Sequence, residues 1–543
     1  MKKVLIIAIY TFACSLMLGQ DSIPLPNQAL EVVKQFQPKI ENAKPVYISP
    51  KKRIEESFPS LNLSYNIPQQ IFTIPYPDPV IKPLVFEEEE DSKNLRDGYV
   101  KLGYGNNQSP LIESQFHYDI QDWLQTGLSI RHYSAQDSTA DVFRSFSKTL
   151  AEFYATYFMT DQTKLTADIH YQNDNRNYCC SGIKEFDFQP TTQLDNYGFA
   201  LRIDHNSFSV KGFSTKHNLE ANRVNSRFNE ESEYHFGYSS NSNKTIGDKL
   251  LINLPLGFDY YTSDLWTDDP YQIQGRPNLF YKAEKFSVRA GAFLASNDSL
   301  FVRPHAEISY LLPWYNLEAI GSYEANSYVN SLHRFYTEMP YFNYLGEEQT
   351  SFAAEEIGRL GVRYKTKNAN VYLGGLYGKF TNQVLYNYEE LGQHSFEIYD
   401  YSGFGMELNG SYKFDKFLSI HTQLLFQNFT PDFGDVIGSR SDLFYIPQLE
   451  ADLRLEQLFF EKLKLYETLR FVSSRDVNVR NDLGYSVSTI DSYLDLGAGI
   501  EYLHKNFIGI FAEANNLLDN SYQHFYLDNS FKLNYHLGIK FLF

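Results

Sequence analysis

After its first twenty residues the chain has no apolar run long enough to cross a membrane as a helix, and its mean hydropathy is negative, at -0.40. If the chain spans a bilayer it must do so with strands, because only helices and closed barrels satisfy their backbone groups in lipid. Cysteine is scarce: three residues, of which Cys179 and Cys180 are the two outside the leader. Adjacent cysteines join only through a strained turn, and zinc would need partners that this spacing does not supply. The pair reads as a vicinal disulfide or two free thiols, and no metal and no cofactor is expected. Basic charge is also short, 48 Lys and Arg against 66 Asp and Glu, which excludes a nucleic-acid partner. No Gly-x-Ser-x-Gly elbow, His-Glu-x-x-His helix or phosphate loop is present, so no enzyme is expected.

Aromatic residues are abundant. Forty-two Tyr and 43 Phe against three Trp suit interfacial girdles and cross-strand pairs. The N-terminus reads as a cleaved secretory signal over 1–20: Met1-Lys2-Lys3, a short apolar run, then Gly19-Gln20. Thr11-Phe12-Ala13 before Cys14 is a poor lipoprotein signal. Eleven of the 21 prolines lie before Val85, ahead of the acidic run Glu87 to Asp91. Proline removes a backbone donor and blocks regular pairing, so 21–96 reads as an extended arm in the periplasm or the lumen.

From Asp97 onward short alternating segments take over. Leu449, Ala451, Leu453 and Leu455 share one face, and Glu450, Asp452, Arg454 and Glu456 share the other; Arg470 continues the charged face on the next segment. A wet lumen tolerates that charge where a dry sandwich core would not. The last segment, 530–543, places Tyr535, Leu537, Ile539, Phe541 and Phe543 on an apolar, lipid-facing row, and Lys532, Asn534, His536 and Lys540 on a lumen-facing one. The expectation is an all-β protein: a transmembrane antiparallel barrel of about 22 strands over 97–543, carrying the proline-rich arm. Even parity puts both ends on the same side of the membrane, read here as the periplasmic one. Short turns such as Phe414-Asp415 and Glu461-Lys462 then lie inside, and longer connections outside, near 134–147, 174–192, 218–230, 263–275, 329–352, 385–394, 430–445, 475–486 and 522–529.

The stretch Asn515-Asn516-Leu517-Leu518-Asp519-Asn520-Ser521-Tyr522, followed by a final alternating strand ending in Phe543, resembles the close of TonB-dependent receptor barrels. The resemblance implies the Gram-negative outer membrane, contact with its lipid, insertion by the barrel assembly machinery with the terminal row as signal, and transport. Nothing before Asp97 resembles the family's globular plug. Glu31-Val32-Val33 is faintly similar to its energy-coupling box.

A barrel of this width needs something in its lumen: the arm with inward-folding loops, a partner protein that fills or caps it, or nothing, leaving an open pore. Outer loops are the place for recognition. Arg334, Tyr336, Tyr341 and Tyr344, and separately Trp266 and Asp268, are the candidate ligand-binding residues; an aromatic girdle rising into the loop, or a solvated acidic loop, accounts for them equally simply. Two functions follow: a plugless receptor-like barrel for transport or gated passage of a solute, or a scaffold subunit of a multiprotein outer-membrane complex for protein assembly, secretion or surface-lipoprotein display.

Overall fold

A computed structural model describes residues 97–139, 142–177, 191–207, 212–227, 231–263, 269–296, 300–313, 316–341, 352–389, 393–432, 443–481, 484–504 and 507–543. The arm with Glu31, Val32 and Val33, the pair Cys179 and Cys180, and Trp266, Asp268 and Tyr344 lie outside them.

Twenty-two antiparallel strands form a closed wall. Each pairs with the next in sequence, and the first, Gly98–Gly105, pairs with the last, Asn534–Leu542, from Tyr99↔Leu542 to Gly105↔His536. The tenth strand is broken into Tyr271–Gly275 and Asn278–Lys282, both paired to Leu250–Ser263. Pro277 lies in the break, where a residue without an N–H cannot continue the ladder.

Alternation sorts the two faces. Outward positions such as Ile169, Phe199, Phe236, Leu256, Leu360 and Phe404 are exposed, the last two at 75% and 69%. Such a continuous apolar surface would aggregate in water; around a barrel it is the lipid belt. At the end with short turns the belt finishes in aromatic rings. Trp123 meets Tyr157 edge-on at 5.6 Å, and Phe543 stacks on Phe116 at 5.8 Å. Both termini of the barrel lie at this end, as even parity requires.

The strands run further outward than their alternation alone indicates. Leu124–Thr139 and Val142–Thr160 occupy most of the region expected as a loop at 134–147, and His394–Phe414 reaches 21 residues. About ten residues suffice to cross a bilayer, so the surplus stands above it. The last strand is shorter than expected. It begins at Asn534, and Phe531 lies off the lipid row, edge-on to Phe146 at 5.4 Å. Two elements follow one another near the C-terminal end: Gly484–Ile490, half of a hairpin with Arg475–Asn481, and the wall strand Tyr493–His504.

One irregularity shapes the interior. Pairing between Leu300–Leu311 and Leu317–Val329 stops at Ala306↔Tyr323, although both strands continue. Beyond that point the later strand passes behind the inner faces of its predecessors. Ala325 packs on Phe293 and Ala295, and Arg276 donates to the Ala325 carbonyl at 2.8 Å. The connection after Val329 therefore starts inside the wall.

Candidate functional site: a charged lumen under a folded cap

Three outer connections fold inward and close over the lumen. The first carries a short helix, Leu332–Glu338, whose apolar side buries Leu332, Phe335 and Tyr336. Ser331 caps it, accepting from the Arg334 N–H at 3.2 Å. The carboxylate of Glu233, on the distant strand Glu231–Ile246, accepts from the Leu332 N–H at 2.8 Å and the His333 N–H at 3.4 Å. Free N–H groups and the helix dipole both favour an anion there. Glu231 accepts from the Tyr336 hydroxyl at 3.1 Å. Phe335 stacks on Phe396 at 5.0 Å, and Leu194, Val224, Met339, Val384 and Tyr386 complete an apolar core inside the mouth.

The second connection is the hairpin Arg475–Asn481 with Gly484–Ile490. It adds parallel to the end of Ala369–Tyr388 through Asn387↔Asn478 and Tyr388↔Val479, and buries Val477 and Ile490 against Tyr388. Arg475 reaches across to the third connection, donating to the carbonyls of Gln523 and His524 at 2.9 and 2.6 Å.

That third connection is the segment on which the family resemblance rests, and its residues build a turn. Asn516 and Asp519 hold the left-handed conformation, which asparagine and aspartate adopt more readily than other side chains. The Asn516 amide donates to the carbonyls of Asn520 and Phe531, and Asp519 accepts from the Leu533 N–H. Asp495, on the neighbouring wall strand, accepts from the Asn516 N–H at 3.1 Å and from the Tyr522 hydroxyl at 2.9 Å. Tyr522 stacks flat on Tyr493 at 4.3 Å.

Burial moves the titrations of the cap. The His524 imidazole is pushed down to about 4 by desolvation, with Arg470 and Arg475 nearby adding to it. Desolvation pushes the Asp528 carboxyl up to about 6, against the pull of Arg144 and Arg176. The Tyr341 hydroxyl is driven well above its ordinary range by burial, with Asp528 adding to it.

Beneath the cap lies a cavity of about 950 Å³. Arg359, Arg363, Arg454 and Arg470 face it together with Glu307, Glu324, Glu407 and Asp452. Arg359 sits between Glu324 at 2.8 Å and Glu407 at 3.3 Å; Arg454 meets Glu456 at 2.5 Å. Arg470 is held more loosely, 3.9 Å from both Glu450 and Asp452, and half exposed. Such wetted pairs contribute at most about 1 kcal/mol each. Their chemical use is a surface of both signs able to receive a polar solute.

The sequence-derived candidates fall into two groups. Arg454 and Arg470 face the cavity. Lys540 pairs inside with Glu501 at 2.7 Å; Asn534 and His536 are buried on the same row, while Lys532 lies in a bend before the strand and is exposed. Tyr535, Leu537, Ile539 and Phe543 are exposed outward and Phe541 is half-buried. Tyr336 and Tyr341 lie in the connection that folds inward. Both are 5% exposed, turned inward, with Tyr341 edge-on to Phe525 at 5.9 Å. Arg334 is likewise engaged, with Glu338 at 2.6 Å and over the Tyr328 ring at 4.0 Å. All three take part in the packing of the cap. Glu231, Glu233 and Asp495 went unnoticed in the sequence. Their only signal was inward parity, shared with dozens of wetted carboxylates.

No protein-family model matches the chain, and no curated protein matches it. Solved structures do. The FrpB iron transporter of Neisseria meningitidis superposes with a TM-score of 0.64 at 9% identity, covering 82% of this chain and 81% of that one. The siderophore receptor PirA of Acinetobacter baumannii gives 0.62 at 10% identity, with 82% and 80% covered. The fold is that of the TonB-dependent receptor barrels. The ferripyoverdine receptor of the Pseudomonas aeruginosa outer membrane gives 0.59 at 11% identity, over 82% of this receptor-like barrel and 71% of its own chain. With its lipid belt, girdle and parity, the receptor-like barrel is an outer-membrane protein.

Proposed function

We propose that the chain is a gated conduit of the outer membrane, passing a polar solute when the cap moves aside. The observation that carries this reading is the charged cavity of about 950 Å³ lying under a cap made of the chain's own loops. The solved structures of similar fold, an iron transporter, a siderophore receptor and a ferripyoverdine receptor, support the solute-passage part. A second reading, a scaffold subunit of an envelope complex, is favoured by one observation: the apolar core of the cap is continuous with the wall, as suits permanent closure.

Single-channel recording in planar bilayers separates the two. On the first reading the native barrel is closed, and Glu233→Ala, which releases the helix of the cap, produces conductance. On the second, Glu233→Ala stays silent while mild-detergent purification yields stoichiometric partner proteins. Energy coupling through Glu31, Val32 and Val33 is a separate part of the first reading; deleting them would abolish uptake in cells without altering conductance.

A further inference from the structure

Four strands, Thr163–Asn177, Phe213–Ser226, Glu231–Ile246 and Leu250–Ser263, bring together inward-facing residues: His170, Glu220 with Asn222, His235 and Asp259. One donor atom each from Glu220, His235 and Asp259 lies within 4.8 Å of the others. The hydrogen bonds define what each can do. Asn222 presents its amide Nδ2 to Nδ1 of His235 at 3.3 Å, so that nitrogen is the acceptor. Nε2 then carries the proton and donates to Asp259 Oδ1 at 3.0 Å. Asp259 is itself held, accepting from the Gln274 amide at 3.2 Å. Tyr261 stacks on the imidazole at 4.4 Å and fixes its plane.

A carboxylate on one ring nitrogen orients a histidine whose other nitrogen binds a metal. Here that other nitrogen, Nδ1, stands 3.9 Å from Glu220 Oε1. The gap is too long for a hydrogen bond and about 0.5 Å wider than the roughly 3.3 Å that separates two ligands of a tetrahedral zinc with bonds of about 2.0–2.1 Å, so a small rotation of the Glu220 side chain closes it onto a metal. Two glycines make the hollow. A Cβ at residue 198 would fall 2.3 Å from both His170 Nε2 and Asn222 Oδ1, and one at residue 237 would fall 2.7 Å from Glu220 Oε1. Two further donors, one nitrogen and one oxygen, are thus laid against the wall beside the first pair. From the cap above, His333 adds a buried Nδ1 that has no hydrogen-bond partner among the described residues.

We propose that this cluster is a binding site for a divalent first-row transition metal, zinc above all, held by His235 Nδ1 and Glu220, with His170 and the turned amide of Asn222 as completing ligands and Asp259 as the positioning residue. Imidazole with carboxylate suits zinc and its neighbours, whereas the all-oxygen sets of calcium and magnesium lack the histidines. The site stands whether or not the barrel conducts.

The test uses the full-length barrel in detergent, freed of metal with a chelator and titrated with Zn²⁺ by calorimetry. One Zn²⁺ per chain is expected, and Co²⁺ in its place should give a visible absorption band of nitrogen and oxygen ligation. Glu220→Gln and His235→Gln should each weaken binding more than tenfold, and Asp259→Asn by about tenfold, the usual loss when an orienting partner is removed. Heat-modifiable migration on gels confirms that each variant is folded. Should either glutamine variant fail to insert, Asp259→Asn and His170→Asn carry the test. Absence of Zn²⁺ binding below 1 mM, or unchanged affinity in the folded variants, would overturn the proposal.

Discussion

Phe460 and Glu461 turn the chain between two wall strands with φ of 51° and 58°, and Lys462 closes the turn by donating to the Phe459 carbonyl at 3.1 Å. Two successive left-handed residues make a type I′ turn, where asparagine and glycine are the ordinary occupants. Glu461→Gly should therefore raise stability by about 1 kcal/mol, measured by urea unfolding of the barrel in vesicles. Asn516 is the opposite case, a side chain suited to its left-handed backbone and holding two carbonyls. Asn516→Ala should loosen the segment to Leu533 by about 2 kcal/mol, seen as faster trypsin cleavage after the exposed Lys532. The same segment carries two titrations of opposite sign. As pH falls from about 6.5 towards 4, keeping His524 neutral inside the cap increasingly destabilises closure, because the freed imidazole would take a proton. As pH falls from about 6 towards 4, the closed cap gains stability from Asp528, whose folded carboxyl protonates first. In Asp528→Asn the histidine remains of the two, so protection of 516–533, taken relative to the intrinsic exchange rate at each pH, should fall on acidification; in His524→Gln it should rise. Equal pH profiles in the two variants would contradict this assignment.

At the scale of elements, the wall strands were legible and the cap was not. Period-two alternation reports which face of a strand meets lipid, and a charged opposite face reports a wet lumen, so Leu449 to Glu456 disclosed its place without a structure. Whether a loop turns inward depends on contacts between distant segments. Tyr336 and Tyr341 have the composition of a recognition surface, yet Glu231 and Phe525 draw them inside. Strand length was misread for a related reason: above the bilayer the alternation relaxes while the ladder continues. The N-terminal N–H groups of the cap's helix are met by one carboxylate from another strand, Glu233. Glu233→Ala should leave the wall intact, as judged by heat-modifiable migration, and raise hydrogen exchange over Leu332–Glu338 by one to two orders of magnitude, corresponding to about 2 kcal/mol. Unchanged exchange there would mean that the apolar core alone holds the helix.

For the whole molecule, parity was legible: counting alternating segments gives an even number, and an even number places both termini beside the short turns. The trio Glu220, His235 and Asp259 was illegible, because three residues on three strands meet only once register is known. A shift of one residue would send His235 to the lipid; the outward row Tyr234, Phe236 and Tyr238 fixes its face, but nothing within Glu231–Ile246 says which residues of the neighbouring strands it meets. Register is set by the turns and by the apolar rows jointly.

The pairing of Gly98–Gly105 with Asn534–Leu542 also sets an order of events in time. Every other wall pairing can form between strands adjacent along the chain, but this one must wait until the final residues have been delivered. Bringing together ends roughly 440 residues apart costs about 5 kcal/mol of loop-closure entropy if nothing between them is ordered, and far less once the intervening ladder has grown. Sealing of the first strand to the last is therefore the closing step of folding. Until it happens, both edges offer unpaired N–H and C=O groups. A chain lacking its last nine residues would be left with an open seam, a nascent sheet without a terminus to finish it.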